Sequence, residues 1–215
     1  MTSVAIIDYG MGNLHSIAKA LEHVSGKQRV VVSSDREQVL SADRVVFPGV
    51  GAIRDCMSEL QKTALDEVVI RAVADRPVLG VCLGMQALLD SSEENAGTDC
   101  LGLFSGKVLH FSKDMHEAGS GDRLKIPHMG WNQVMPKYQH PMWNDIPANS
   151  RFYFVHSYYT APDNAADVAA TTPYGIEFTS VIARDNIFAV QFHPEKSQHA
   201  GLQLLSNFVG WNGET

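Results

Sequence analysis

The sequence predicts an α/β fold: a mainly parallel central sheet with helices on both faces, plus antiparallel strands in the C-terminal half. Three observations carry this expectation. Across residues 4–82, short and continuously apolar runs alternate with segments of helical period, the pattern of strands buried on both faces of a parallel sheet. From residue 106 onward, strand-like runs follow one another, and Asp185-Asn186 between two of them is a two-residue hairpin signal. The length of 215 residues, with 45% hydrophobic and 19% charged residues, suits one globular domain spanning 1–215.

Residues 4–7 form the first strand. Asn13 is a good N-cap, and Leu14, Ile17, Leu21 and Val24 then recur at helical spacing until Gly26. Residues 29–32 are a second strand, and 35–40 a short helix capped by Ser34 or Asp35. Val45-Val46-Phe47 is a third strand, broken by Pro48-Gly49. Residues 55–74 read as one long helix, with Met57, Leu60, Ala64, Val68 and Ala72 among its apolar positions. Residues 77–81 are the fourth strand, ending at Cys82, and a helix begins directly after it, through 85–89. Further strands are expected at 106–111, 131–134, 151–160, 168–171, 178–184 and 187–192, and a closing helix near Ser197. Residues 115–122 form a polar, glycine-containing loop that is expected to be mobile.

Composition excludes several function classes. The net charge of −7, with no window dominated by Lys and Arg, excludes a nucleic-acid footprint. Cys56, Cys82 and Cys100 form no C-x-x-C pair, and such an odd, widely spaced set fits a reducing cytoplasm. No basic segment precedes the first apolar run, so no signal peptide is expected. The longest nearly apolar run, 78–89, falls short of the span of about 20 residues that crosses a bilayer. His110, His116, His128 and His140 have no ligand-type spacing; they read as solvent or loop histidines, and neither a metal nor a cofactor is expected.

Chemistry concentrates at three places. Gly80-Val81-Cys82-Leu83-Gly84 joins a strand to a helix start, a nucleophile elbow with a thiol at its apex. The N–H of the following residue can face an oxyanion there. Read alone, a buried structural Cys in a glycine-bearing turn is about as good a reading. His193-Pro194-Glu195 ends an apolar strand. Residues two apart in an extended segment share a side, so Glu195 can orient the His193 ring and stabilise its imidazolium. Phe47-Pro48-Gly49-Val50-Gly51 is a glycine-rich strand end, and ligands of parallel sheets bind at such carboxyl ends.

Together these residues resemble a class I (triad) glutamine amidotransferase. Asp8-Tyr9-Gly10-Met11-Gly12-Asn13-Leu14, Pro48-Gly49-Val50-Gly51, Pro127-His128-Met129-Gly130-Trp131-Asn132, Phe154-Val155-His156-Ser157-Tyr158 and Phe192-His193-Pro194-Glu195-Lys196-Ser197 extend the likeness to the glutaminase subunits of imidazole glycerol phosphate synthase. The resemblance implies the class I amidotransferase fold, a Cys82, His193 and Glu195 triad, and a thioester route from L-glutamine to glutamate and ammonia. It implies an oxyanion hole from the N–H groups of Leu83 and Val50. Substrate contacts then fall to Gly51, Gln86, Ser157 and Tyr158. The implied partner is a (βα)8-barrel cyclase subunit in a heterodimer, met through Asn13, Trp131, Tyr153 and Lys196, although Trp131 is equally readable as a core aromatic. Glycines on either side of Val50 allow its peptide two orientations, so low glutaminase activity is expected of the isolated chain. A subunit of an anthranilate or purine synthase, a plain cysteine hydrolase and a non-catalytic module are the competing readings.

Overall fold

The computed structural model describes residues 2–117, 119 and 121–214. The first half alternates as expected: β1 Ser3–Ile7, α1 Leu14–Val24, β2 Arg29–Ser33, α2 Arg36–Leu40, β3 Arg44–Gly49, α3 Ile53–Thr63, α4 Leu65–Ala72 and β4 Val78–Cys82. Then come α5 Leu83–Gln86, β5 Leu89–Ser92, β6 Thr98–Asp99, β7 Phe104–His110, β8 His128–Gln133, β9 Met135–Pro136 and β10 Arg151–His156. The chain closes with β11 Tyr158–Pro162, β12 Val168–Tyr174, β13 Ile176–Arg184, β14 Ile187–Val190 and α6 Gln198–Gly210.

The main sheet runs β2-β1-β3-β4-β14-β13-β11-β7-β5-β6, with β12 on β13 and β9 on β12; β8 and β10 form a separate antiparallel ribbon. Pairing is parallel from β2 to β14 and antiparallel through β13, β11 and β7. Side chains alternate across a strand, and the core divides accordingly. Val4, Ile6, Val46, Leu79 and Val190 face α1 and α6, packing with Ile17, Leu21, Leu204, Leu205 and Phe208. Ala5, Ile7, Val45, Phe47 and Ala189 face the opposite helices, packing with Val39, Ile53, Leu60, Val68 and Val69. Continuous apolar strands are the sequence signature of this two-faced burial.

Four expectations are corrected. The helix expected over 55–74 is two helices, broken at Ala64 in a left-handed conformation (φ 52°). A 20-residue helix is about 30 Å long, whereas a five-residue strand spans about 17 Å. The break keeps both halves over the sheet. The helix expected through 85–89 is a single turn, Leu83–Gln86, and Leu89–Ser92 departs as β5. A short apolar run does not by itself separate buried helix from buried strand. The strand expected over 151–160 is two strands that meet at Ser157 and join different sheets. Pro48 and Gly49 do not break β3 but finish it, pairing with Val81 and Cys82. In the loop 115–122, residues 118 and 120 lie outside the described residues, while Met115 is buried against the core.

His128 and His140 are also buried, contrary to the solvent reading, and His156 is buried with them. Burial disfavours imidazolium and lowers their pKa values to about 4, about 4 and about 3 respectively. The unfolded chain protonates its histidines near the ordinary value of about 6.5. Between that value and the lowered ones the unfolded state binds more protons, so stability falls as pH falls. The expected outcome is a lower urea midpoint at about pH 5 than at about pH 7, with a shallower fall in His140→Gln. An equal midpoint at both pH values would contradict this.

Candidate functional site

Parallel pairing of β3 with β4 places Gly49 opposite Cys82. The residues that follow, Val50 and Leu83, therefore stand side by side at the carboxyl edge of the sheet. Cys82 itself has φ 55° and ψ −107°, a conformation uncommon outside glycine and costing about 1–3 kcal/mol. The strained turn aims its thiol out of the sheet, as a nucleophile elbow requires. The turn after it is one helical turn long, too short for a large macrodipole, so neighbouring groups must set the charge at sulfur.

Two glycines allow the close packing. A Cβ on Gly84 would lie 1.9 Å from the carbonyl oxygen of Phe47, and one on Gly49 would lie 2.6 Å from the hydroxyl of Tyr9. That hydroxyl donates to the carbonyl of Pro48 at 3.0 Å and pins the end of β3 beneath the site.

His193 enters from the segment that follows β14. Its backbone N–H donates to the carbonyl of Tyr153 at 2.9 Å, tying it to the β8–β10 ribbon. Its Nδ1 lies 2.9 Å from Oε1 of Glu195, and both side chains are almost wholly buried. Nε2 is buried on the Cys82 side of the ring, with no other hydrogen-bond partner. Burial alone would disfavour the charged ring, but the neighbouring Cys82 and Glu195 outweigh it and push the pKa up to about 10. A charged ring beside a thiol stabilises negative charge that develops on the sulfur.

Cys82 and His193 line one cleft of about 350 Å³ with Val50, Gly51, Leu83, Gln86, Ser157 and Tyr158. Glu195 stands behind His193, with Asn13 across a small gap of about 10 Å³. Trp131 is 41% exposed, which decides against a core role. It packs edge-on to Tyr153 across the β8–β10 ribbon, and the Lys196 ammonium lies 5.9 Å from the Tyr153 ring centroid.

The cleft also holds residues that the sequence motifs did not nominate. Glu94 supplies a carboxylate to its wall and accepts the backbone N–H of Ile53 at 3.0 Å. It lies in a short helical turn beyond β5 with no motif around it. His156 lines the cleft as well, and Gln191 reaches Cys82 from below. His156 stands inside a motif segment as a residue of β10, and Gln191 just before one; neither carried a signal of its own. Among the described residues, no cluster of His, Cys, Asp or Glu could hold a metal ion.

A family model described as glutamine amidotransferase class-I matches residues 5–210. The chain belongs to this family. It is 60% identical over 213 residues to the imidazole glycerol phosphate synthase subunit HisH 1 of Pseudomonas aeruginosa, covering 99% of each chain. It is 61% identical to the subunit HisH of Nitrosococcus oceani over the same share of both chains. Among solved structures, PurLQS from Thermotoga maritima superposes with a TM-score of 0.70 at 15% identity, covering 97% of this chain and 98% of that one. At that identity the likeness speaks for the amidotransferase fold alone.

The elbow yields a direct test. Gly84→Ala drives a methyl into the Phe47 carbonyl, a backbone group that cannot step aside. A loss of about 3 kcal/mol or more in urea unfolding is expected, beyond an ordinary overpacking cost. A variant as stable as wild type would show that the turn has room to move.

Proposed function

We propose that this chain is the glutaminase subunit of an imidazole glycerol phosphate synthase, acting in the cytoplasm with a cyclase subunit in histidine biosynthesis, and that residues 1–215 act as a single domain. The observation that carries the reading is the meeting of the Cys82 elbow with Nε2 of His193 in one cleft.

In this reading Cys82 attacks the amide carbon of L-glutamine. His193 takes the thiol proton and delivers it to the departing ammonia, while Glu195 fixes the ring through Nδ1. The backbone N–H groups of Leu83 and Val50 receive the oxyanion. The thioester that remains is hydrolysed by water activated at Nε2, which releases glutamate and restores the thiol. Gln86, Gly51, Ser157 and Tyr158 hold the substrate. Both hydrogens of the Gln86 amide are committed inward, to Tyr158 and Gln191, so its contact with substrate is through Oε1. Glu94, a carboxylate on the cleft wall, complements an α-ammonium group.

Ammonia released into water near neutral pH is mostly ammonium, which is not a nucleophile. A docked cyclase that receives neutral ammonia avoids this loss. Trp131, Tyr153 and Lys196 form an amphipathic patch suited to such a contact, with Asn13 beside the triad.

The test measures glutamate release with and without the cyclase and its nucleotide. Cys82→Ala is expected to lose about a millionfold in rate. The isolated wild-type chain is expected to be slow and to be accelerated by the partner. Wild-type release from Cys82→Ala would overturn the triad, and full activity without any partner would overturn the coupling.

A further inference from the structure

Gln191 lies just past the end of β14, two residues before His193, and its side chain reaches the nucleophile's sulfur. It is fully buried (0% exposed), which is costly for an amide unless both of its ends are paired. Nε2 lies 3.7 Å from Sγ of Cys82, and Oε1 lies 3.0 Å from Nε2 of Gln86.

The orientation of that amide follows from the network, as oxygen and nitrogen must always be assigned in a side-chain amide. Nε2 of Gln86 also donates to the backbone carbonyl of Tyr158 at 3.1 Å, and a carbonyl can only accept. Gln86 thus presents its N–H groups inward. Gln191 must answer with its oxygen, which leaves its own N–H groups for the sulfur.

The Tyr158 carbonyl is held from its other side in the same sense. It lies 2.7 Å from Nδ1 of His156, which must be the donor. Nε2 of His156 then accepts from Nδ1 of His128 at 2.9 Å, and Nε2 of His128 accepts from Nδ2 of Asn132 at 3.2 Å. Asn132 also donates to the carbonyl of Pro173 at 2.8 Å. Every link has one donor and one acceptor, and the pattern requires both imidazoles to be neutral. Burial keeps them so.

We infer that Gln191 is a further active-site residue, whose amide N–H supports negative charge on Cys82 Sγ and is held donor-first by Gln86, itself fixed by the Tyr158 carbonyl. The inference rests on Cys82 being the nucleophile. The other ionisable groups facing the sulfur or lining its cleft are His193 with Glu195 behind it, Tyr9 below, and Glu94, His156 and Tyr158 on the cleft wall. The Tyr9 hydroxyl already donates to Pro48, so it adds no hydrogen bond to the sulfur. His193 can give its proton away during the reaction. The amide cannot, so it supports the charged sulfur at any proton count of the ring.

Iodoacetamide labelling of Cys82, followed by mass spectrometry of its peptide across pH, tests this without glutamine. Losing a donor to a charged acceptor is worth about tenfold, so Gln191→Met is expected to label about tenfold more slowly at about pH 6.5 and to catch up by about pH 9.5. The isosteric Gln191→Glu, which turns an acceptor toward the sulfur, is expected to label more slowly still. Glutaminase kcat should follow the same pH dependence with KM changed less than about twofold. Either variant decides the matter if the other fails to fold. A wild-type labelling profile overturns the role of Gln191, as does a loss of the same factor at both pH values, which is the mark of a packing defect. Neither result touches the glutaminase reading if Cys82→Ala is inactive; glutamate release by Cys82→Ala overturns that reading instead.

Discussion

The parallel ladder between β3 and β4 is the constraint on which the rest of the site depends. Its register sets Gly49 against Cys82, so two neighbouring strands end together. The chain must then leave both strands within one turn. At Cys82 it does so through a left-handed residue, and at Gly84 through direct contact with the backbone of β3. Strain at one residue is tolerated because the surrounding sheet is buried on both faces and cannot relax.

Electrostatics at the site follow from partners rather than from residue type. His128, His156 and His193 are all buried, yet the first two are held neutral and the third is held charged. The difference is the carboxylate and the thiol beside His193, against carbonyl and imidazole partners for the other two. One part of the site thus sets a charged ring beside a thiol, and the other is a neutral scaffold of fixed hydrogen-bond direction. Charge on the scaffold would reverse at least one of its links.

Much of the fold was legible along the chain because apolar continuity and turn chemistry are local properties. The hairpin at Asp185-Asn186 is one instance: it joins β13 to β14, with Asp185 at φ 52°. The boundaries that were misread depend on distant partners. Ala64 breaks a helix because the sheet beneath it is short, and Ser157 divides a strand-like run because its two halves pair with β8 and with β7. No window of sequence around either residue contains that information.

The sequence by itself determined the alternation of elements, the residues of the triad motif and the likeness to the amidotransferases, since each is carried by residue type and spacing. Tertiary structure alone decided which side chains meet. It brought Glu94 to the cleft, exposed Trp131, buried His128 and His140, and turned the amide of Gln191 toward Cys82. These outcomes depend on strand register and on the closure of a hydrogen-bond network, and both arise from pairing between segments far apart in the chain.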